Sequence, residues 1–207
     1  MLVGLDFDNT IVCYDRLFHK LAVERGLIPT DLPVTKQSVR DALRSGGRET
    51  DWTELQGIAY GARITDAELF PGVKHFLARC RAAGVQVAII SHKTQYPFRG
   101  ARHDLHAAAH AFLQAQGLFQ TWDTGLAPDR TYLELTLAGK LSRVGSLGCA
   151  AFIDDLPELL AEPAFPAGVW KLLFDPAGVH ADGETYTRVT SWDACADALL
   201  SRQEALA

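Results

Sequence analysis

The chain has 207 residues, 48% of them hydrophobic, and a formal net charge of −5. That is long enough for one full α/β core plus a small insertion. The mild acidity argues against a nucleic-acid surface, which would be basic, and no apolar run approaches a membrane span, so neither nucleic acid nor a membrane is expected as a partner.

The chain opens on Leu2, Val3 and Leu5, the composition of a short buried strand, and the run stops at Asp6 and Asp8. Were the strand to continue, both carboxylates would point to one side. Two acids held together there repel unless a cation lies between them, and Mg²⁺ favours carboxylate oxygen. Thr10 adds a hydroxyl two residues on. Residues 14–71 read as helical, with no strand among them. Leu17, Phe18, Leu21 and Ala22 share one face of a helix over 14–25, and Gly26 closes it. Thr35 caps a second helix over 36–45, stopped by Gly46 and Gly47, and a third starts near Thr50 or Asp51 and runs to Tyr60. Thr65 and Glu68 have the capping-box spacing for a short fourth. Lys36, Arg40, Arg44 and Arg48 recur every four residues, a stripe that reads first as a solvated face.

Pro71 and Gly72 mark the return, with Pro71 suited to the first turn of a helix carrying Val73, Phe76, Leu77 and Cys80. Residues 85–90 form a β-branched strand terminated by Ser91. The following loop carries His92, Lys93, Arg99 and Arg102 with aromatics between them. Loops beyond the carboxyl ends of strands face the ligand crevice of an open α/β sheet, so these cations could hold an anionic substrate. A helix over 104–116 buries Leu105, Ala109, Phe112 and Leu113. His103, His106 and His110 lie on or beside it, and they read as a packed face before they read as a metal site. Residues 122–129 are turn-rich, 131–136 a short strand. Lys140 falls near the start of the next helix, where an anion is drawn. Residues 149–155 repeat the opening pattern, an apolar strand ending in paired carboxylates, Asp154 and Asp155. Residues 169–174 are a further strand, closed by an Asp175-Pro176 turn, and Ser191 caps a last helix over 192–202.

Taken in order, Asp-x-Asp-x-Thr after a strand, a helical block, Ser91 at a strand end, Lys140, and the Asp154–Asp155 pair resemble the motifs of the haloacid-dehalogenase-like superfamily over the whole chain. The resemblance implies a doubly wound Rossmann-like α/β core (1–13 and 72–207) with an inserted α-helical cap (14–71). It implies a Mg²⁺-dependent phosphatase acting on a small phosphomonoester, such as a sugar phosphate, through an aspartyl-phosphate. Asp6 would be the nucleophile and Asp8 the general acid and base. Thr10 would orient Asp8. Ser91 and Lys140 would bind the phosphoryl group, with Lys93 the rival lysine and His92 and Arg99 as further substrate contacts. Asp6, Asp155, Asp154 and the Asp8 carbonyl would hold the metal. A phosphomutase shares every one of these residues. A receiver-type signalling domain places its acids differently, and a non-catalytic binding module remains a third alternative. The four cysteines (Cys13, Cys80, Cys149, Cys195) show no metal or disulfide spacing, and no secretory leader precedes the first strand; reduced thiols and a cytoplasmic protein are expected. The sequence assigns no oligomeric state.

Overall fold

The computed structural model describes residues 1–205. In chain order its elements are β1 (Leu2–Leu5), β2 (Val12–Cys13), α1 (Asp15–Glu24), α2 (Lys36–Ser45), α3 (Glu49–Tyr60), β3 (Glu68–Leu69), α4 (Val73–Ala82), β4 (Gln86–His92), α5 (Leu105–Ala115), α6 (Thr121–Thr124), β5 (Thr131–Glu134), α7 (Leu137–Ser146), β6 (Ala151–Asp154), α8 (Pro157–Leu160), β7 (Trp170–Phe174), β8 (Thr187–Val189) and α9 (Trp192–Ala205). By contacts the chain divides into two compact units. One holds Met1–Ile11, Phe70–His92 and the described residues from Gly117 onward. The other holds Val12–Leu69 and Lys93–Gln116. The segment carrying α5 therefore groups with the helices of the insertion, although the sequence division leaves it with the sheet.

The first unit is built on six parallel strands in the order β5-β4-β1-β6-β7-β8, a Rossmann-like α/β sheet. β1 is central. The chain first builds outward from it through β4 and β5, then crosses to β6 on its other side. That reversal of strand order is where open α/β sheets leave a crevice beyond their carboxyl ends. The close approach of β1 and β6 depends on Gly4. A Cβ there would lie 2.6 Å from a Phe152 ring carbon. One face of the sheet packs Ala88, Ile90, Phe152 and Leu173 against Leu141 and Val144 of α7 and Leu159 and Leu160 of α8. α4 packs on α9. There Trp192 lies 4.7 Å from Phe76 and 5.2 Å from Phe174 between ring centroids. Full burial of each such side chain contributes about 1.5–3 kcal/mol.

The second unit is mainly helical. Thr35 caps α2 by accepting from the Ser38 N–H, as its position predicts. Arg40, Arg44 and Arg48 pair with Asp41, Glu49 and Asp51, so three members of the basic stripe are engaged with acids of their own unit. Two expectations fail here. Thr65 and Glu68 do not frame a helix: a 3₁₀ turn at Ile64–Asp66 gives way to β3, which pairs antiparallel with β2. Residues 14–71 therefore do contain a strand, β3. Three smaller differences follow from local geometry. Pro71 precedes α4, whose N-cap is Gly72 at φ 90°. Ser91 lies inside β4, since His92 still pairs with Glu134 of β5. Residues 122–129 include most of α6. Among the described residues no helix is long and apolar enough to cross a membrane.

Candidate active site

β1 delivers Asp6. Its ladder extends one residue past the strand, because the Asp6 N–H donates to the Ile153 carbonyl at 2.9 Å. The chain then turns sharply, closed by the Ile11 N–H on the Phe7 carbonyl at 3.0 Å. Asn9 takes the left-handed conformation this turn requires (φ 59°), which Asn tolerates better than most residues. The turn keeps Asp8 half-buried and drops Thr10 back, fully buried, beneath Asp6. β4 delivers Ser91, and β6 delivers Asp154 with Asp155 following. All of these leave the carboxyl ends of three adjacent strands.

The centre of the group is an ion-pair bridge. Lys140 Nζ lies 2.6 Å from Asp6 Oδ1 and 2.6 Å from Asp154 Oδ2. Lys140 is the fourth residue of α7, whose first turn is capped by Thr136 accepting from Gly139 N–H. The side chain is buried, and its charge lies 5.4 Å from the Phe152 ring centroid. Ser91 Oγ donates to Asp6 Oδ1 at 2.9 Å, and the Leu156 N–H donates to Asp154 Oδ1 at 3.0 Å. Thr10 Oγ1 is 3.4 Å from both Asp6 Oδ2 and Asp155 Oδ1, long contacts of which one hydroxyl hydrogen can serve one at a time.

The electrostatics follow from burial. Burial, opposed by the Lys140 charge and reinforced by that of Asp6, pushes the Asp154 carboxyl up to about 7. Burial works against the Lys140 ammonium too, but the charges of Asp6 and Asp154 outweigh it and raise its pKa above the usual lysine value. Two buried carboxylates thus share one ammonium.

The donor set fits a hard divalent cation. Asp6, Asp154 and Asp155 each offer an oxygen, all within 4.8 Å of one another. Opposite oxygens around Mg²⁺ are ~4.2 Å apart, so the group is gathered on the scale of one coordination sphere. Among the described residues this is the one group of three or more acidic, histidine or cysteine side chains so gathered.

His92 is exposed at the end of β4. Lys93 is buried in the helical unit with its ammonium 4.7 Å from the Tyr60 ring centroid, and Arg99 is exposed in the same unit. His106 donates from Nε2 to the Lys93 carbonyl at 2.8 Å, and burial lowers the pKa of His110; both belong to a packed helix face. The contacts of Thr10 with Asp6 and Asp155 had no signal in the sequence beyond its spacing from Asp6.

No protein-family model matches the sequence, and no curated protein matches it. Solved structures do. A HAD family hydrolase from Deinococcus radiodurans R1, crystallised with bound phosphate and sodium, superposes with a TM-score of 0.59 at 20% identity, over 98% of this chain and 96% of that one. A dehalogenase matches with a TM-score of 0.55 at 14% identity, over 96% of each chain. A HAD phosphatase from Thermococcus onnurineus matches with a TM-score of 0.50 at 15% identity, over 96% of this chain and 97% of that one. The fold is therefore that of the haloacid-dehalogenase-like hydrolases, which serves phosphatases and dehalogenases alike.

Proposed function

We propose that the protein is a Mg²⁺-dependent phosphatase that cleaves a small phosphomonoester through an aspartyl-phosphate on Asp6. The observation that carries this reading is the buried Asp6–Lys140–Asp154 bridge with Ser91 and Asp155 beside it. One carboxylate is held by two donors on Oδ1 at the carboxyl edge of a parallel sheet, within reach of further acids. A nucleophilic carboxylate needs a fixed orientation and neighbours that offset the charge arriving with the phosphoryl group. Lys140 and Ser91 supply both: they hold Asp6 beforehand and can donate to phosphoryl oxygens. Asp8, on the turn two residues on, is suited to protonate the leaving oxygen and then to take a proton from the attacking water.

Asp6, Asp155, Asp154 and the main-chain carbonyl of Asp8 would hold Mg²⁺, which when bound supplies charge neutralisation at the phosphoryl oxygens. Asp8 also favours phosphate-ester cleavage over dehalogenation, since a halide leaving group needs no proton. The helical insertion leaves the sheet unit after Ile11 and again after His92, on the loops that follow Asp8, Thr10 and Ser91. Substrate selection by such loops suits a small metabolite, of which a sugar phosphate is the best example.

The test is hydrolysis of p-nitrophenyl phosphate and of a panel of phosphorylated metabolites, each in Mg²⁺ and in EDTA. Metal-dependent turnover that disappears in Asp6→Asn supports the reading. Turnover of any ester that is unchanged in Asp6→Asn would overturn the aspartyl-phosphate.

A further inference from the structure

Within the helical unit α3 presents two faces. Trp52, Leu55 and Ala59 are buried in the core of that unit. Thr53, Gln56, Gly57 and Tyr60 stand at i, i+3, i+4 and i+7 and share the neighbouring face. The loop between β4 and α5 lies against it, and Thr94, Pro97, Phe98 and Leu105 complete a cavity of about 120 Å³. Every wall residue belongs to the helical unit. The loop comes this close because Gly57 has no side chain. A Cβ there would lie 2.8 Å from the Arg99 carbonyl oxygen and 3.0 Å from Pro97 Cβ.

The walls are held in place. The Leu105 N–H donates to the Gln95 carbonyl at 2.8 Å, and Gln95 Nε2 donates to Asp104 Oδ2 at 3.1 Å. The Arg102 guanidinium lies 4.0 Å from the Tyr96 ring centroid. These contacts draw the ends of the loop together, as in an Ω-loop. Tyr60 is fixed by an aromatic cluster, its ring centroid 5.0 Å from that of Tyr14 and 5.7 Å from that of Phe18. The ammonium groups of Lys36 and Lys93 lie 5.4 and 4.7 Å from the same centroid, but neither lysine is a wall of the cavity. Walls already in order lose little entropy when a ligand arrives.

The chemistry of the walls defines the occupant. None of them is charged, and an unpaired charge buried there would be costly, so the occupant is neutral. Tyr60 and Phe98 present aromatic rings, and Pro97 and Leu105 add apolar surface, which suits a flat aromatic body. Thr53 gives its hydroxyl hydrogen to the Glu49 carbonyl at 2.9 Å and keeps its oxygen as an acceptor; Gln56 and Thr94 can donate or accept. A cavity of ~150 Å³ admits benzene, so one six-membered ring is the right scale. A single exposed apolar side chain is ordinary. Phe98 differs because it is 85% exposed and also lines the cavity, which places it at the mouth, where an entering ring would cover it.

We infer that this cavity is a binding site for a small neutral aromatic compound carrying one hydroxyl or amide group, phenol being the simplest. The inference does not rest on the phosphatase reading. The test titrates the isotope-labelled intact chain with phenol, and separately with benzoate, and follows the backbone amide resonances. Phenol should cause saturable shifts at Gly57, Thr94 and Phe98, and should bind about tenfold or more tightly than benzoate, whose charge finds no partner there. Phe98→Ala, at an exposed position, should weaken phenol about tenfold, and Gln56→Leu about threefold, each with a native circular dichroism spectrum. Absence of saturable shifts at these amides would overturn the site. So would benzoate binding as tightly as phenol, or phenol binding that neither substitution weakens.

Discussion

Replacing Lys140 by methionine removes the one ammonium between Asp6 and Asp154 while keeping most of the side-chain volume. The side chains involved are 3%, 6% and 0% exposed for Lys140, Asp6 and Asp154, so solvent cannot take over the pairing. Breaking a buried ion pair by removing one partner costs about 3–5 kcal/mol. For a chain near 200 residues each kcal/mol moves the unfolding midpoint by ~2–4 °C, which gives a drop of roughly 6–20 °C. The drop should depend on pH with a definite sign. Burial already raises the Asp154 carboxyl to about 7, and loss of Lys140 raises it further. A carboxyl raised in the folded state binds a proton there that the unfolded chain, with a carboxyl pKa near ~4, has released. Stability therefore falls as pH rises from about 4 through the folded value. The variant should lie closest to the unsubstituted protein near pH 5 and furthest from it near pH 9. Thermal unfolding followed by circular dichroism in EDTA at both values measures this. Adding Mg²⁺ at pH 9 should narrow the gap, because a cation replaces the missing charge between the same carboxylates. A midpoint within about a degree of the unsubstituted protein at both pH values would refute the argument that Lys140 offsets buried carboxylate charge. A gap that Mg²⁺ leaves untouched would refute the metal assignment alone.

Asp8→Asn should abolish turnover of alkyl phosphates and reduce that of p-nitrophenyl phosphate less, because a good leaving group needs its proton least; equal losses on both would count against a general-acid role. Gly4→Ala should lower stability by about 1–3 kcal/mol in urea unfolding, since the added methyl would lie 2.6 Å from Phe152 between paired strands; an unchanged midpoint would show that the sheet gives way there. Burial pushes the Cys80 thiol up to about 12 and the Cys149 thiol up to about 11, and raises that of Cys195 as well. A thiol reagent at pH 8 should thus label at most Cys13 in the native protein and all four cysteines after denaturation. Rapid native labelling of the other three would contradict their packing.

Local sequence carried a good deal. The helix over 36–45 was legible because Thr35 caps it and Gly46 follows it, both short-range effects of backbone geometry. The strands leading to Asp6, Ser91 and Asp154 were legible because a buried parallel strand is an apolar run, and a polar residue near its end stands out. Chain order then made Lys140 readable as their neighbour before any contact was known. What the sequence could not carry were features that exist through partners. β3 is two residues long and β8 three; neither has enough length for a periodic pattern, and each exists because β2 or β7 offers it a ladder. Thr10 was placed by spacing, yet its contacts with Asp6 and Asp155 depend on how tightly the Asn9 turn closes. The grouping of α5 with the insertion is decided by packing, which no window of neighbouring residues encodes. Lys36 and Lys93 are 57 positions apart in the chain, and nothing in the sequence links one to the other. Only the tertiary structure brings both to the ring of Tyr60, because burial of the aromatic cluster determines where their long side chains can lie.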